Sequence, residues 1–98
     1  MDRRLALDEI FRGIASNVYF QPPENLKLVY PCIVYELEQI ETFHANNVPY
    51  ADYDRYSVTV IDRDPESSIT RQIVTLPMCR HERHFVNDNL HHDVFTIY

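Results

Sequence analysis

Glycine is almost missing from this chain: Gly13 is the only one in 98 residues. Loops that cradle phosphate need closely spaced glycines where the backbone meets the ligand, so a single glycine argues against them, and few turns of positive φ are expected. Tryptophan is absent, and the two cysteines, Cys32 and Cys79, lie far apart in unlike contexts. That usage points to reduced, unpaired thiols in a cytoplasmic setting rather than a disulfide framework. No apolar run approaches the length of a membrane span, and Met1–Ala6 lacks the apolar stretch of a signal peptide. Basic residues are the minority, nine Lys and Arg against fifteen Asp and Glu, for a formal charge of −6. Such a surface does not attract a polyanion, which disfavours tight nucleic-acid binding over the whole molecule.

What the chain does hold is apolar and aromatic: a hydrophobic fraction of 45%, with seven Tyr and five Phe. At this length the expectation is one domain, residues 1–98, around one compact core. A chain this small buries only about 60–70% of its unfolded surface, so association with further copies would add stability.

Leu7, Ile10, Phe11 and Ile14 recur at i, i+3, i+4 and i+7 and predict an amphipathic helix over Leu5–Ala15. Asp2 or Asp8 would serve its N-terminal end and Arg12 its C-terminal end. Val18–Phe20 reads as a short extended piece, and Gln21-Pro22-Pro23-Glu24-Asn25 as a rigid turn. Beyond Leu28, Pro31 is confined to an edge or to the start of a strand. Ile33, Tyr35 and Leu37 then share one face opposite Val34, Glu36 and Glu38, with a bulge near Gln39 where the phase shifts toward Ile40. His44–Asp54 is polar and rich in turn formers, and reads as a long hairpin connection. Tyr56, Val58 and Val60 alternate with Ser57, Thr59 and Ile61 in a strand over Arg55–Ile61.

Asp62-Arg63-Asp64-Pro65-Glu66-Ser67-Ser68 stops that strand and opens a second helix, with Asp64 as its cap and Pro65 at its first position. Ile69, Ile73 and Leu76 form one apolar stripe, and Pro77 blocks continuation. Met78–Glu82 reads as loop, and His84–Asn87 and Leu90–Tyr98 as strands around an Asp88-Asn89 turn. The sum is an α+β fold, an antiparallel sheet of about four strands with two helices packed on one face.

One cluster looks metal-like: Cys79, His81, His84, His91, His92 and Asp93. With Asp88-Asn89 as a two-residue turn, His84 pairs with Asp93 and Val86 with His91. His84, His91 and Asp93 then project from one face, as ligands would, although a slip of one residue scatters the set. The spacing Cys79-x-His81-x-x-His84 matches no common zinc pattern, and the plain alternative is histidines on an exposed strand. Glu36, Glu38 and Glu41 alternate along one strand, where a solvent face is a simpler reading than general acid–base work across a cleft. Ser67 and Ser68 have no adjacent histidine or nucleophile-elbow glycines. The expectation is therefore no catalytic residue, no cofactor and no metal. Tyr30, Tyr35 and Tyr56 belong to strand patterns and to the core or its edge. Tyr50 and Tyr53 lie in the polar connection, where an aromatic body with a polar tip marks a protein contact.

At Tyr30-Pro31-Cys32-Ile33-Val34-Tyr35-Glu36, and again at Asp54-Arg55-Tyr56-Ser57-Val58-Thr59-Val60-Ile61-Asp62-Arg63-Asp64-Pro65, the chain resembles the tail terminator (tail completion) proteins of long-tailed bacteriophages. In those small α+β proteins a Pro-plus-apolar strand precedes a Tyr-x-Val-x-Val strand, then a helix and terminal strands like Phe85–Tyr98. The resemblance implies a virion protein without enzymatic activity, assembled in the host cytoplasm as a closed ring, most often a hexamer. Its partners would be the tail tube protein and the connector on the head side, with phage DNA passing through the lumen without specific binding and no membrane involved. Contact residues would be Tyr50, Tyr53, Asn46 and Asn47. A head–tail connector or stopper of the same neck is the nearest alternative. A small metal-dependent enzyme using the His81–Asp93 cluster is the alternative from another class.

Overall fold

Helix α1 (Arg3–Ile14) leads into strands β1 (Val18–Phe20), β2 (Cys32–Ala45) and β3 (Val48–Asp62), helix α2 (Ser68–Val74), and strands β4 (Cys79–Asn87) and β5 (Leu90–Ile97). The computed structural model describes residues 3–45 and 48–98, and side chains throughout except at Arg3 and residues 39–53. The five strands form one sheet in the order β1-β2-β3-β5-β4. The α+β class matches the sequence reading, but the sheet is mixed and five-stranded rather than antiparallel with about four. Val18–Phe20 supplies the fifth strand, paired in parallel with Ile33–Tyr35. Residues 21–31 carry the chain back to the end from which β1 started, and a strand begun there runs parallel to it.

The core follows from strand register. Ile33 lies opposite Val60 and Tyr35 opposite Val58, while Val58 faces Phe95 and Tyr56 faces Ile97. Leu7 and Phe11 of α1 and Ile69 and Ile73 of α2 complete the same buried cluster. Each fully buried apolar side chain here is worth about 1.5–3 kcal/mol relative to exposure. Tyr35 is the hub: its ring centroid lies 5.1 Å from Phe11, 4.9 Å from Phe20 and 6.4 Å from Tyr56. Its hydroxyl donates to Asp8 Oδ1 at 2.7 Å, and Arg12 Nε donates to Asp8 Oδ2 at 2.7 Å. Asp8 therefore does not serve the N-terminal end of α1, whose first turn holds no acidic residue. It sits one turn before Arg12 and ties the helix to the sheet.

Three further expectations are corrected. His44–Asp54 is not a loop, because β2 and β3 remain paired out to Ala45↔Val48. Their ladder absorbs Pro49 in a stretch that, among the described residues, pairs on one side only, where a missing N–H is tolerated. Met78–Glu82 is not a loop either: β4 begins at Cys79, opposite Ile97. Asp64 does not cap α2. Asp62 Oδ1 accepts the Asp64 N–H at 3.0 Å and Asp64 Oδ1 accepts the Glu66 N–H at 2.9 Å, two successive turns of the kind Asp side chains make with their own backbone. These turns delay the helix to Ser68, and Ser67 occupies the cap position with no side-chain bond to the helix.

Positive φ is more frequent than the glycine count implies, at Gln21, Met78, Asp88 and Asn89. The last pair, at 53° and 63°, has the twist of a two-residue hairpin turn, which Asp and Asn tolerate without glycine. Among the described residues no helix is long and apolar enough to cross a membrane. Both cysteines are free, Cys32 buried and Cys79 half-buried. Burial, with Asp62 nearby, pushes the Cys32 thiol up to about 11, so it stays protonated and inert.

Candidate functional site

Two features stand out from the folded core, a bare ribbon and an aspartate–histidine cleft. The ribbon is the outer half of the β2–β3 hairpin. Strand β1 leaves β2 at Phe20↔Tyr35, and β5 leaves β3 at Tyr56↔Ile97. From Gln39↔Arg55 to Ala45↔Val48 the two strands pair with each other, and no third strand joins them among the described residues. At about 3.4 Å per residue the ribbon runs on for about 20–24 Å, which agrees with a molecule measuring 50 × 24 × 24 Å. An isolated two-stranded ribbon is marginal in water.

Irregularities in the ladder bracket the ribbon, between Leu37 and Gln39 and between Phe43 and His44. The first leaves Glu38 as the extra residue at the ribbon's base, where its carboxylate meets Arg55 Nε at 3.5 Å. At the second, Phe43 pairs with Ala51 and His44 with Pro49, so Tyr50 is the extra residue. Tyr53 lies opposite Glu41. Both tyrosines are thus in a strand, their side chains outside the described residues, as are Asn46 and Asn47 altogether. From residue 39 to residue 54 the sequence holds Glu41, Asp52 and Asp54 and no Lys or Arg.

The edges of the sheet proper are protected by comparison. Strand β1 has three residues, and β4 carries Arg80, Glu82 and Arg83 together with a register irregularity between His81 and Arg83. Short strands, edge charges and bulges all discourage strand addition.

That irregularity also builds the second feature. Three residues apart in a regular strand, His81 and His84 would point to opposite faces. The extra residue, Glu82, restores the phase, so His81 lies opposite Phe95 and His84 opposite Asp93, on the face covered by α2. The pairing of His84 with Asp93 and of Val86 with His91 is the expected register. Asp93, 8% exposed, accepts at Oδ1 from His84 Nδ1 at 2.8 Å and from His81 Nε2 at 3.1 Å. Its Oδ2 accepts the Thr70 hydroxyl of α2 at 3.1 Å. Burial alone would raise the Asp93 pKa, but the bonds from His84, His81 and Thr70 outweigh it and hold the carboxyl below its ordinary value.

A cleft of about 270 Å³ opens here, lined by Ser67, Thr70, Arg71, His81, His84 and Asp93 among others. Ser67 Oγ is buried there without a hydrogen-bond partner among the described residues. No histidine takes its proton, so it is not an activated nucleophile. Among the described residues no group of three or more His, Cys, Asp or Glu side chains is placed to hold a metal ion.

The structure therefore gathers His81, His84, His91 and Asp93 from the sequence-defined cluster and separates two members from it. His92 stacks on Phe85 at 4.6 Å on the opposite face, and Cys79 packs against the core. Thr70 and Ser67 join from across the cleft, and no spacing in the sequence signals that meeting. Of the carboxylates, Glu36 and Glu38 are exposed as expected. Comparison with known protein families, with curated proteins and with solved structures finds no match to this chain.

Proposed function

We propose that this chain is a structural subunit of a long-tailed phage tail, one copy of a six-membered ring that caps the tail tube and receives the connector on the head side. The observation that carries the reading is the bare β2–β3 ribbon. Two strands that leave their sheet together expose backbone donors and acceptors on both outer edges, a surface that strands or side chains of a neighbouring subunit can satisfy. A ring needs a heterologous contact whose rotation closes, and a ribbon reaching out from one side of a small domain provides the asymmetric half of such a contact. The protected edges at β1 and β4 leave the ribbon as the favoured element for assembly. Tyr50, Tyr53, Asn46 and Asn47 remain the proposed contact residues, to the next subunit or to the tube protein. The formal charge of −6 suits a lumen through which DNA slides without sticking.

Mass photometry over a range of concentrations, with and without purified tail tube, tests the assembly. The expected result is a single closed oligomer that forms at high concentration or on the tube. A monomer under both conditions would contradict the reading.

A further inference from the structure

The cross-strand pair His84–His91 carries an inference that the ring reading does not use. His84 Nδ1 lies 2.8 Å from an Asp93 oxygen. A carboxylate only accepts, so that nitrogen bears the proton, and in the neutral ring Nε2 presents its lone pair. Facing that lone pair, at 3.4 Å, is Nδ1 of His91. The separation is long for an N–H hydrogen bond, which prefers about 2.7–3.2 Å. It equals the edge of a tetrahedron with metal–nitrogen bonds of about 2.1 Å, roughly 3.4 Å. The rings lie at 31° to one another with centroids 5.4 Å apart, and His84 is 40% exposed at its side chain, so an ion can reach the pair from solvent.

We infer that His84 and His91 are a two-imidazole site for a divalent transition ion of the zinc class, with water completing the coordination and Asp93 holding the His84 ring in place. Imidazole selects zinc, copper or nickel over calcium or magnesium. The Asp93–His84 bond is the carboxylate–histidine arrangement that fixes the tautomer and raises the basicity of a ligating ring. Asp93 is itself fixed by Thr70 and His81, so the brace is anchored in both α2 and β4. His84 belongs to β4 and His91 to β5, and the ion would clip these strands together near the Asp88-Asn89 turn.

Calorimetric titration with zinc chloride, paired with thermal melts in zinc and in EDTA, tests the site. The expected result is one zinc per chain and a melting temperature that rises with zinc. His84→Phe and His91→Phe should each abolish both responses. His91→Phe, which leaves Asp93 its partners, should melt normally in EDTA, whereas His84→Phe starts from a lower melting temperature because Asp93 loses a donor. His92→Ala, on the other face, should bind zinc like the parent. Asp93→Asn should weaken binding about 10–100-fold, the usual effect of removing the partner of a ligating histidine. No zinc response in the parent would overturn the inference, as would a response that survives loss of both His84 and His91. Zinc affinity unchanged by Asp93→Asn would overturn the role given to Asp93.

Discussion

Two aspartates show how little a residue type decides before its neighbours are known. Asp64 has the position of a helix cap in the sequence but spends its carboxylate on the Glu66 amide in an exposed turn. Asp64→Ala should therefore cost no more than about 1 kcal/mol, a typical net hydrogen bond. Ile73, fully buried between α2 and the sheet, should cost about 2–5 kcal/mol on truncation to Ala. Thermal unfolding of the two variants checks that order. Asp8 has the opposite character. Its slight burial would raise its pKa, but hydrogen bonds from Tyr35 and Arg12 hold it below the ordinary value of 3.8. Burial, with Asp8 nearby, pushes Tyr35 up to about 12, so its hydroxyl remains a donor at every pH of interest. A lowered carboxylate pKa stabilises the fold above the unfolded pKa, and the gain is lost as pH falls through the folded value. Denaturant titrations below about pH 4 should show that loss, and Tyr35→Phe should make its slope shallower. An unchanged slope would assign acid sensitivity to other carboxylates.

Elements with a clean period were legible in the sequence, and those with a broken period were not. Helix α1 and the inner part of β3 repeat without interruption, and Leu7, Phe11, Tyr56, Val58 and Val60 are buried as that period implies, although Ile10 of the same helix stripe is exposed. The bulge expected near Gln39 was legible and falls at Glu38, but the rest of the ribbon was hidden by the extra residue at Tyr50, which flips the alternation. Asn, Pro and Asp in the same stretch then imitate a loop. The start of β4 was hidden in the same way by Glu82. The parallel pairing of β1 had no local signal, because it depends on where the chain returns after residue 31. In the cleft, the His84–Asp93 register could be read from the hairpin turn, whereas the arrival of Thr70 and Ser67 depends on how α2 docks. The ribbon yields a direct prediction. Ile40 pairs with Asp54, so replacing residues 41–53 by Asn-Gly, a favoured two-residue turn, shortens the ribbon without touching the described core. The variant should keep its circular dichroism and melting temperature within a few degrees and lose oligomer formation. Tyr50→Ser with Tyr53→Ser should leave the monomer folded and weaken assembly. Normal assembly by both variants would reduce the ribbon to a connector.

At the scale of the whole molecule, one apolar cluster holds both helices to the sheet, and the 50 Å long axis follows from a ribbon that runs on beyond the other strands. A chain of this length has little core with which to support an isolated two-stranded extension. Its presence is accounted for if the surface is buried in an assembly, and the acidic balance of the chain fits one that encloses DNA. The most direct test is electron microscopy of tails assembled with this protein fused to a compact density label. The account predicts label density arranged as a closed ring at the head-proximal end of the tail tube, and tails of uncontrolled length or unjoined to heads when the protein is omitted. Tails of normal length and joining that lack the protein, or that carry it as a single copy, would contradict it.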